Sequence, residues 1–283
     1  MRECTLCKSK KINKIPLISE ISRYTKKSYS LCKCCNCGLV RPCPLPYSNE
    51  SKNKIYDDVN NIKFFNKKLN DIDYSSKEYK YYFKYFKPYL ELCKKYKIKG
   101  KSLDVGCGNG HLLSLLSSIG FDAEGTEISP TLVKVLKKRY KVFCCDLNDK
   151  ILKNKKYNLI TFNQVLEHVE NFQDFMKNAN ALLKSRGYII FSVPYLYGIV
   201  PQILRSRWYG LGYGQHLNFF SKKSIKILLE KNGFELCEFK LLVCDYAHPK
   251  FPKLINVFAN FFMSLIRFLN LGDNLFVVAR KIK

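Results

Sequence analysis

The stretch Lys101-Ser-Leu-Asp-Val-Gly-Cys-Gly-Asn-Gly-His111 decides the fold. Its first half, residues 102–105, reads as a short buried strand that runs directly into a glycine-rich turn, and a helix follows from Leu112. Gly106, Gly108 and Gly110 carry no Cβ, so the turn can take positive φ and a ligand can lie against bare backbone. The helix beyond aims its unpaired N–H groups and the positive end of its dipole at the same place. Tight strand-to-helix turns that bind nothing also need glycine. The surrounding chain decides between these readings.

Downstream the pattern alternates. Residues 121–127 read as a second strand ending in Glu127, and Pro130 fits the first turn of a helix to about Tyr140. A third strand, 142–146, ends in Asp146, and a fourth covers 157–162. Val165-Leu-Glu-His-Val169 opens the loop after it, a helix covers 172–183, and a fifth strand, 187–193, stops at Pro194. Ser221 caps a helix to about Asn232 with Gly233 as its stop, and 234–243 and 274–280 are the last two strands. Strands and helices at this spacing predict an α/β fold: a Rossmann-like, doubly wound, seven-stranded and mostly parallel sheet over residues 99–283. Ligands then sit at the carboxyl ends of the strands.

Three segments stand outside the alternation. Residues 47–98 are a polar linker followed by helix. From about 75 to 96, Tyr79, Tyr82, Phe83, Phe86, Tyr89, Leu90 and Cys93 recur at spacings of three and four, and Pro88 is expected to kink or split the helix. The stripe suits core packing better than a pocket wall. Residues 195–220 crowd Tyr195, Tyr197, Trp208, Tyr209, Tyr213, His216 and Phe219 into an irregular run, a candidate lid over the carboxyl edge. Residues 252–271 form a strongly apolar helical pattern with only Lys253 and Arg267 as charges. Burial or homodimerisation is one reading of it, and shallow peripheral contact with a membrane surface is the other.

Residues 1–46 are a different kind of sequence. Seven of the chain's 13 cysteines lie within the first 43 residues. Cys4-Thr-Leu-Cys7 and Cys34-Cys-Asn-Cys37 are two CxxC turns that can supply a tetrahedral set of four thiolates, for which zinc is the natural ion. A module this small needs such a staple. Cys32 and Cys35 form an alternative register; Gly38 after Cys37 suits the tight turn under a metal and favours Cys34 with Cys37. The run 39–46 then leaves the module as an extended, proline-stiffened link. No secretory signal accompanies the cysteines and no apolar run is long enough to span a bilayer, so the expectation is a reducing cytoplasm with thiols free or metal-bound.

The net charge of +26 has two readings. An anionic partner such as nucleic acid is one. The other is codon bias, because lysines are spread along the whole chain instead of clustering, and this argues against a nucleic-acid partner.

Asp104-Val-Gly-Cys-Gly-Asn-Gly110, with Glu127 and Asp146 at the ends of the next two strands, resembles the class I S-adenosylmethionine-dependent methyltransferases. Gly125-Thr-Glu-Ile-Ser-Pro130, Gln164-Val-Leu-Glu-His-Val169 and His216-Leu-Asn-Phe-Phe-Ser221 look like the ubiquinone-biosynthesis-type, small-molecule branch. The four-cysteine module is similar to that of sugar C-methyltransferases. The resemblance implies a cofactor, S-adenosylmethionine, and a small-molecule substrate, a sugar or lipid-linked precursor. It places the cofactor's methionine part against Asp104, Gly106, Cys107, Gly108 and Gly110, with Asn163 offering a carbonyl to its amine. Glu127, followed by Ile128, is expected to accept the ribose hydroxyls, and Asp146 with the Leu147 backbone to meet the adenine. His168 and His216 are the candidate bases; loop anchoring and plain packing are their alternative roles.

Overall fold

The computed structural model describes residues 3–21, 28–45, 77–242, 265, 269 and 271–282. The apolar 252–271 pattern falls almost wholly outside these residues, as does the linker 47–76. Among the described residues no helix is long and apolar enough to cross a membrane.

The N-terminal module is a three-stranded antiparallel sheet, β1 (Ile12–Ile21), β2 (Ser28–Cys34) and β3 (Val40–Cys43). Part of the run expected to be an extended link is therefore a strand. Pairing of β2 with β3 brings the Cys32 and Cys43 Cα atoms to 5.9 Å and the two form a disulfide. The expectation that every thiol is free or metal-bound is corrected for this pair: it rested on compartment, and took no account of strand pairing.

Helix α1 (Lys77–Lys95) runs unbroken through Pro88, so the expected split does not occur. Phe86, Tyr89, Leu92 and Cys93 bury one face against Leu112, Leu115 and Leu116 and against Ile190, Phe276 and Val278 of the sheet. That packing outweighs the one backbone hydrogen bond a proline removes. The glycine stretch then behaves as expected. β4 (Lys101–Val105) enters the turn, and α2 (His111–Ser118) leaves it. β5 (Asp122–Glu127), α3 (Pro130–Leu136), β6 (Lys141–Cys144) and β7 (Tyr157–Asn163) follow. Next come α4 (Phe172–Leu182), β8 (Leu183–Pro194), α5 (Ile199–Leu204), α6 (Lys222–Lys231), β9 (Phe234–Leu242) and β10 (Asn274–Lys281). The sheet order is β6-β5-β4-β7-β8-β10-β9, with β10 antiparallel to both neighbours and the other pairs parallel. The order reverses between β4 and β7, beside the glycine turn, which opens a crevice there.

At the amino edge, fully buried Glu124 gathers Lys101 (2.8 Å), Lys141 (2.6 Å), Lys155 (3.2 Å) and the Tyr157 hydroxyl (2.7 Å). Some of the chain's excess lysine is thus spent on one structural carboxylate.

The run 195–220 is not a free flap. It folds into α5 and short 3-10 turns, and its apolar side chains Leu196, Val200, Trp208, Leu211 and Phe219 join Tyr29, Leu31 and Val40 of the N-terminal sheet in one core. Trp208, expected on a mobile lid, is 2% exposed and donates its indole N–H to Asp273 Oδ2 at 3.0 Å. The N-terminal sheet supplies the second apolar layer that a reading of 195–220 alone leaves out.

Candidate active site

At the glycine turn Gly106, Gly108 and Gly110 all have positive φ (63°, 51° and 74°). A Cβ on Gly110 would meet Leu136 at 2.7 Å, so this glycine packs the turn on α3. A Cβ on Gly108 would meet nothing within 4 Å: that glycine faces open space. Glu127, at the end of β5, turns back onto the turn. Its Oε2 accepts the Gly108 N–H at 2.9 Å and its Oε1 accepts the Ser129 N–H at 3.0 Å. Two backbone donors thereby hold the carboxylate at the crevice, each oxygen keeping a lone pair for a ligand. Ile128 beside it is 45% exposed, an apolar surface at the same edge. Cys107 and Leu147 are buried, and Asp146 is exposed, its Oδ1 accepting the Asn148 N–H at 2.7 Å.

Asp104 is buried beneath the turn and accepts the Thr161 hydroxyl at 2.8 Å. Burial pushes its carboxyl up to about 7, the Thr161 bond opposes the rise, and the nearby Glu127 charge adds to it. A cation arriving at the turn would draw this group back to its charged form. The Asn109 Oδ1 is buried with no partner among the described residues.

The far wall of the crevice was only partly legible. Asn163, at the end of β7, accepts from the hydroxyls of Tyr89 (3.2 Å), Tyr85 (3.4 Å) and Ser192 (2.7 Å). Gln164 sits at φ 55° and donates to Ser192 Oγ (3.1 Å) and Asn274 Oδ1 (3.0 Å). Tyr82 stacks on His111 with centroids 3.9 Å apart, roofing the start of α2. The aromatic stripe of α1 is therefore mainly core, as expected, yet its tyrosines reach the site. The positive φ of Gln164 and the roles of Tyr85 and Tyr89 had no signal in the sequence beyond the stripe itself.

Beyond the end of β7 the structure brings His168 and His216 together, 48 positions apart in the chain, with ring centroids 4.7 Å apart. His168 Nδ1 lies 3.2 Å from the Gln215 carbonyl, and His216 Nδ1 lies 2.7 Å from the Gly210 carbonyl. The second bond makes Nδ1 the protonated nitrogen of His216 and leaves the lone pair on Nε2. Burial pushes His216 down to about 4, against the pull of the Gly210 carbonyl, so its ring is neutral at pH 7. Glu167, adjacent to His168, is 0% exposed, and neither carboxylate oxygen has a hydrogen-bond partner among the described residues. Burial raises it to about 8, which keeps it neutral at pH 7. One ligand atom from each of Glu167, His168 and His216 lies within 4.8 Å of the others. Sequence reading found both histidines and missed Glu167, whose place in a short helical turn looks like any surface glutamate.

In the N-terminal module the sulfurs of Cys4, Cys7, Cys34 and Cys37 all lie within 4.8 Å of one another, with Cys4–Cys37 at 3.6 Å and Cys7–Cys34 at 3.5 Å. A tetrahedron with Zn–S bonds of about 2.3 Å has edges of about 3.8 Å, so this donor set fits the ion. Cys35 is exposed and outside the cluster.

A family model described as a methyltransferase domain matches residues 77–238, more than half of the chain. The chain belongs to this methyltransferase family. Among its curated relatives, the ubiquinone biosynthesis O-methyltransferase of Rickettsia canadensis is 27% identical over 177 residues, covering 58% of this chain and 75% of that one. The enzyme of the same name from Rickettsia bellii is 30% identical over 160 residues, 52% and 67% of the two chains. Solved structures share the fold. An S-adenosylmethionine-dependent methyltransferase from Clostridium acetobutylicum aligns with a TM-score of 0.51 at 14% identity, over 77% of this chain and 98% of that one. The N-methyltransferase NodS from Bradyrhizobium japonicum, in complex with S-adenosyl-L-homocysteine, gives 0.51 at 13% identity, over 79% and 100%. The protein is an S-adenosylmethionine-dependent methyltransferase.

Proposed function

We propose that the methyltransferase acts on a hydroxyl of a small-molecule acceptor, a sugar or lipid-linked precursor, held between the glycine-turn crevice and the His168–His216 pair. The oxygen as acceptor atom follows the named activity of the Rickettsia relatives. The observation that carries the reading is His216: a neutral imidazole whose Nδ1–H is fixed on the Gly210 carbonyl, so that Nε2 is the basic atom.

The donor half is Asp104, Gly106, Cys107, Gly108, Gly110, Glu127, Ile128, Asp146, Leu147 and Asn163. The open face of Gly108, the doubly held Glu127 carboxylate and the buried acid at Asp104 suit a ligand carrying an amine, a diol and a cationic centre. When bound, S-adenosylmethionine supplies a methyl group on a good leaving group, so orientation accounts for most of the rate. What remains is the acceptor's proton. His216 Nε2 would take it, in a transfer for which bound S-adenosylmethionine would supply the methyl group and the sulfide leaving group. Cys4, Cys7, Cys34 and Cys37 hold one structural zinc ion.

Incubating the protein with labelled cofactor and a metabolite extract, then identifying the labelled product, tests the acceptor class. His216→Ala should lower turnover of that product while leaving cofactor affinity within about 0.5 kcal/mol. In the wild type, a base near 4 puts the acid limb of kcat/KM well below the usual histidine value. Unchanged turnover in His216→Ala removes the base from the scheme.

A further inference from the structure

The N-terminal module touches the methyltransferase domain at more than a surface. Cys4, Leu6, Cys34, Cys37 and Leu39 belong to the same buried cluster as Phe172, Phe220 and Ile225 of the catalytic domain. Among these contacts one residue is chemically out of place. Arg41, on β3, is buried, and burial lowers the affinity of its guanidinium for its proton. Its donors meet neutral oxygens: Nε reaches the Leu217 carbonyl at 3.3 Å, Nη2 the Glu170 carbonyl at 3.5 Å, and Nη1 the Thr5 hydroxyl at 3.4 Å, while the charges of Glu170 and Cys4 offset part of the burial. Its guanidinium carbon lies 5.9 Å from the Phe172 ring centroid. A buried cation is a costly way to join two layers when apolar side chains would do. Its fork geometry is the property an apolar residue lacks.

The two carbonyls are informative. Leu217 follows His216 directly, and Glu170 is two residues after His168. The neighbouring bonds converge on the same two segments. Val40 and Phe219 exchange both backbone hydrogen bonds, at 3.0 and 2.9 Å, so the segment after His216 continues the N-terminal sheet as a bridge. The Ser221 hydroxyl donates to the Cys37 carbonyl at 2.6 Å, and the Tyr197 hydroxyl to the Gly38 carbonyl. The Leu217 and Asn218 N–H groups both donate to the Glu167 carbonyl, at 2.7 and 3.1 Å. The Asn218 side chain reaches the Val169 carbonyl at 2.7 Å. Each histidine thus hangs from a short segment, and among the described residues Arg41 is the one side chain of the module that grips both segments.

We propose that Arg41 is a positioning residue: the four-cysteine module acts through it to set the spacing and orientation of His168 and His216 across the acceptor site. The module is then a working part of the active site, and the acceptor half of the reaction depends on a sheet outside the methyltransferase domain proper. The cofactor half does not, because Arg41 touches none of the glycine-turn, Glu127 or Asp146 groups in the contacts described. This inference rests on the histidine pair lying at the acceptor site, and the test separates the two ideas.

The experiment compares Arg41→Met, Arg41→Lys and Lys231→Ala in the full chain. Lys231 donates to the Leu6 carbonyl at 2.7 Å and fastens the module at another point, so its loss controls for docking alone. Three readouts are taken: kcat and KM for the acceptor, the cofactor Kd by calorimetry, and the imidazole nitrogen resonances of the chain's 4 histidines. Arg41→Met should lower kcat about tenfold or more, since small misplacements of reacting groups cost that much. It should leave cofactor Kd within about twofold, and shift the ring signals of His168 and His216 while leaving His111 in place. Arg41→Lys keeps the charge and one donor direction and should fall between; it also decides the matter if Arg41→Met fails to fold. Wild-type kcat with unmoved histidine signals in Arg41→Lys and Arg41→Met overturns the proposal. So does Lys231→Ala reproducing every effect. If His216→Ala is fully active yet Arg41→Met still shifts both rings, the base assignment fails and the positioning role survives.

Discussion

Glu127→Gln is the sharpest test of the cofactor site. In the wild type each carboxylate oxygen already accepts one backbone N–H, from Gly108 at 2.9 Å and from Ser129 at 3.0 Å. Glutamine keeps one oxygen and turns an NH2 group toward the other N–H, so one of these bonds becomes a donor facing a donor. Loss of a charged acceptor for the ribose hydroxyls costs about 1.5–3 kcal/mol, which raises the Kd for S-adenosylhomocysteine about tenfold or more. The lost turn bond, worth about 1 kcal/mol, weakens the free and bound protein alike and leaves the Kd unchanged. The ligand-free protein also loses the turn bond, and a change of about 1 kcal/mol lowers Tm by about 2–4 °C in a domain of this size. Titration calorimetry reads the first effect and thermal unfolding without ligand reads the second. An affinity within about twofold of wild type removes Glu127 from the cofactor site, even if Tm falls as expected.

Two further outcomes follow from the geometry. Elemental analysis should find about one zinc per chain, lost in Cys34→Ser and kept in Cys35→Ser, because Cys35 is exposed outside the cluster; the reverse pattern would reassign the register. Glu167 is raised from the usual carboxylate range to about 8, so the fold favours its neutral form and stability falls as pH rises from about 4.5 toward 8. Glutamine cannot ionise, so the Tm of Glu167→Gln relative to wild type should climb between pH 5 and pH 8.5, and a difference constant with pH would show that Glu167 is not held neutral.

Much of this protein was determined by local sequence. The strand Lys101–Val105, the three glycines and the acid ending the next strand are short-range signals, and each landed where its residue types require: glycine where φ is positive, Glu127 where backbone donors converge. Asp146, expected to end the third strand, lies two residues beyond β6, which stops at Cys144, and its carboxylate turns back onto the Asn148 N–H. The two CxxC turns likewise carry their own geometry, and Ser221 and Gly233 marked both ends of α6. Tertiary structure alone decided the rest. Pro88 continues a helix because buried aromatic packing outweighs a local penalty. Cys32 meets Cys43 because two strands pair. Residues 195–220 lose the freedom of a lid because the N-terminal sheet covers their apolar face, a partner more than 150 positions away. Arg41, Glu167 and Asn163 acquire their roles only through neighbours distant in the chain. Burial, pKa and the direction of a hydrogen bond are properties of a packed environment, and no window of sequence contains that environment.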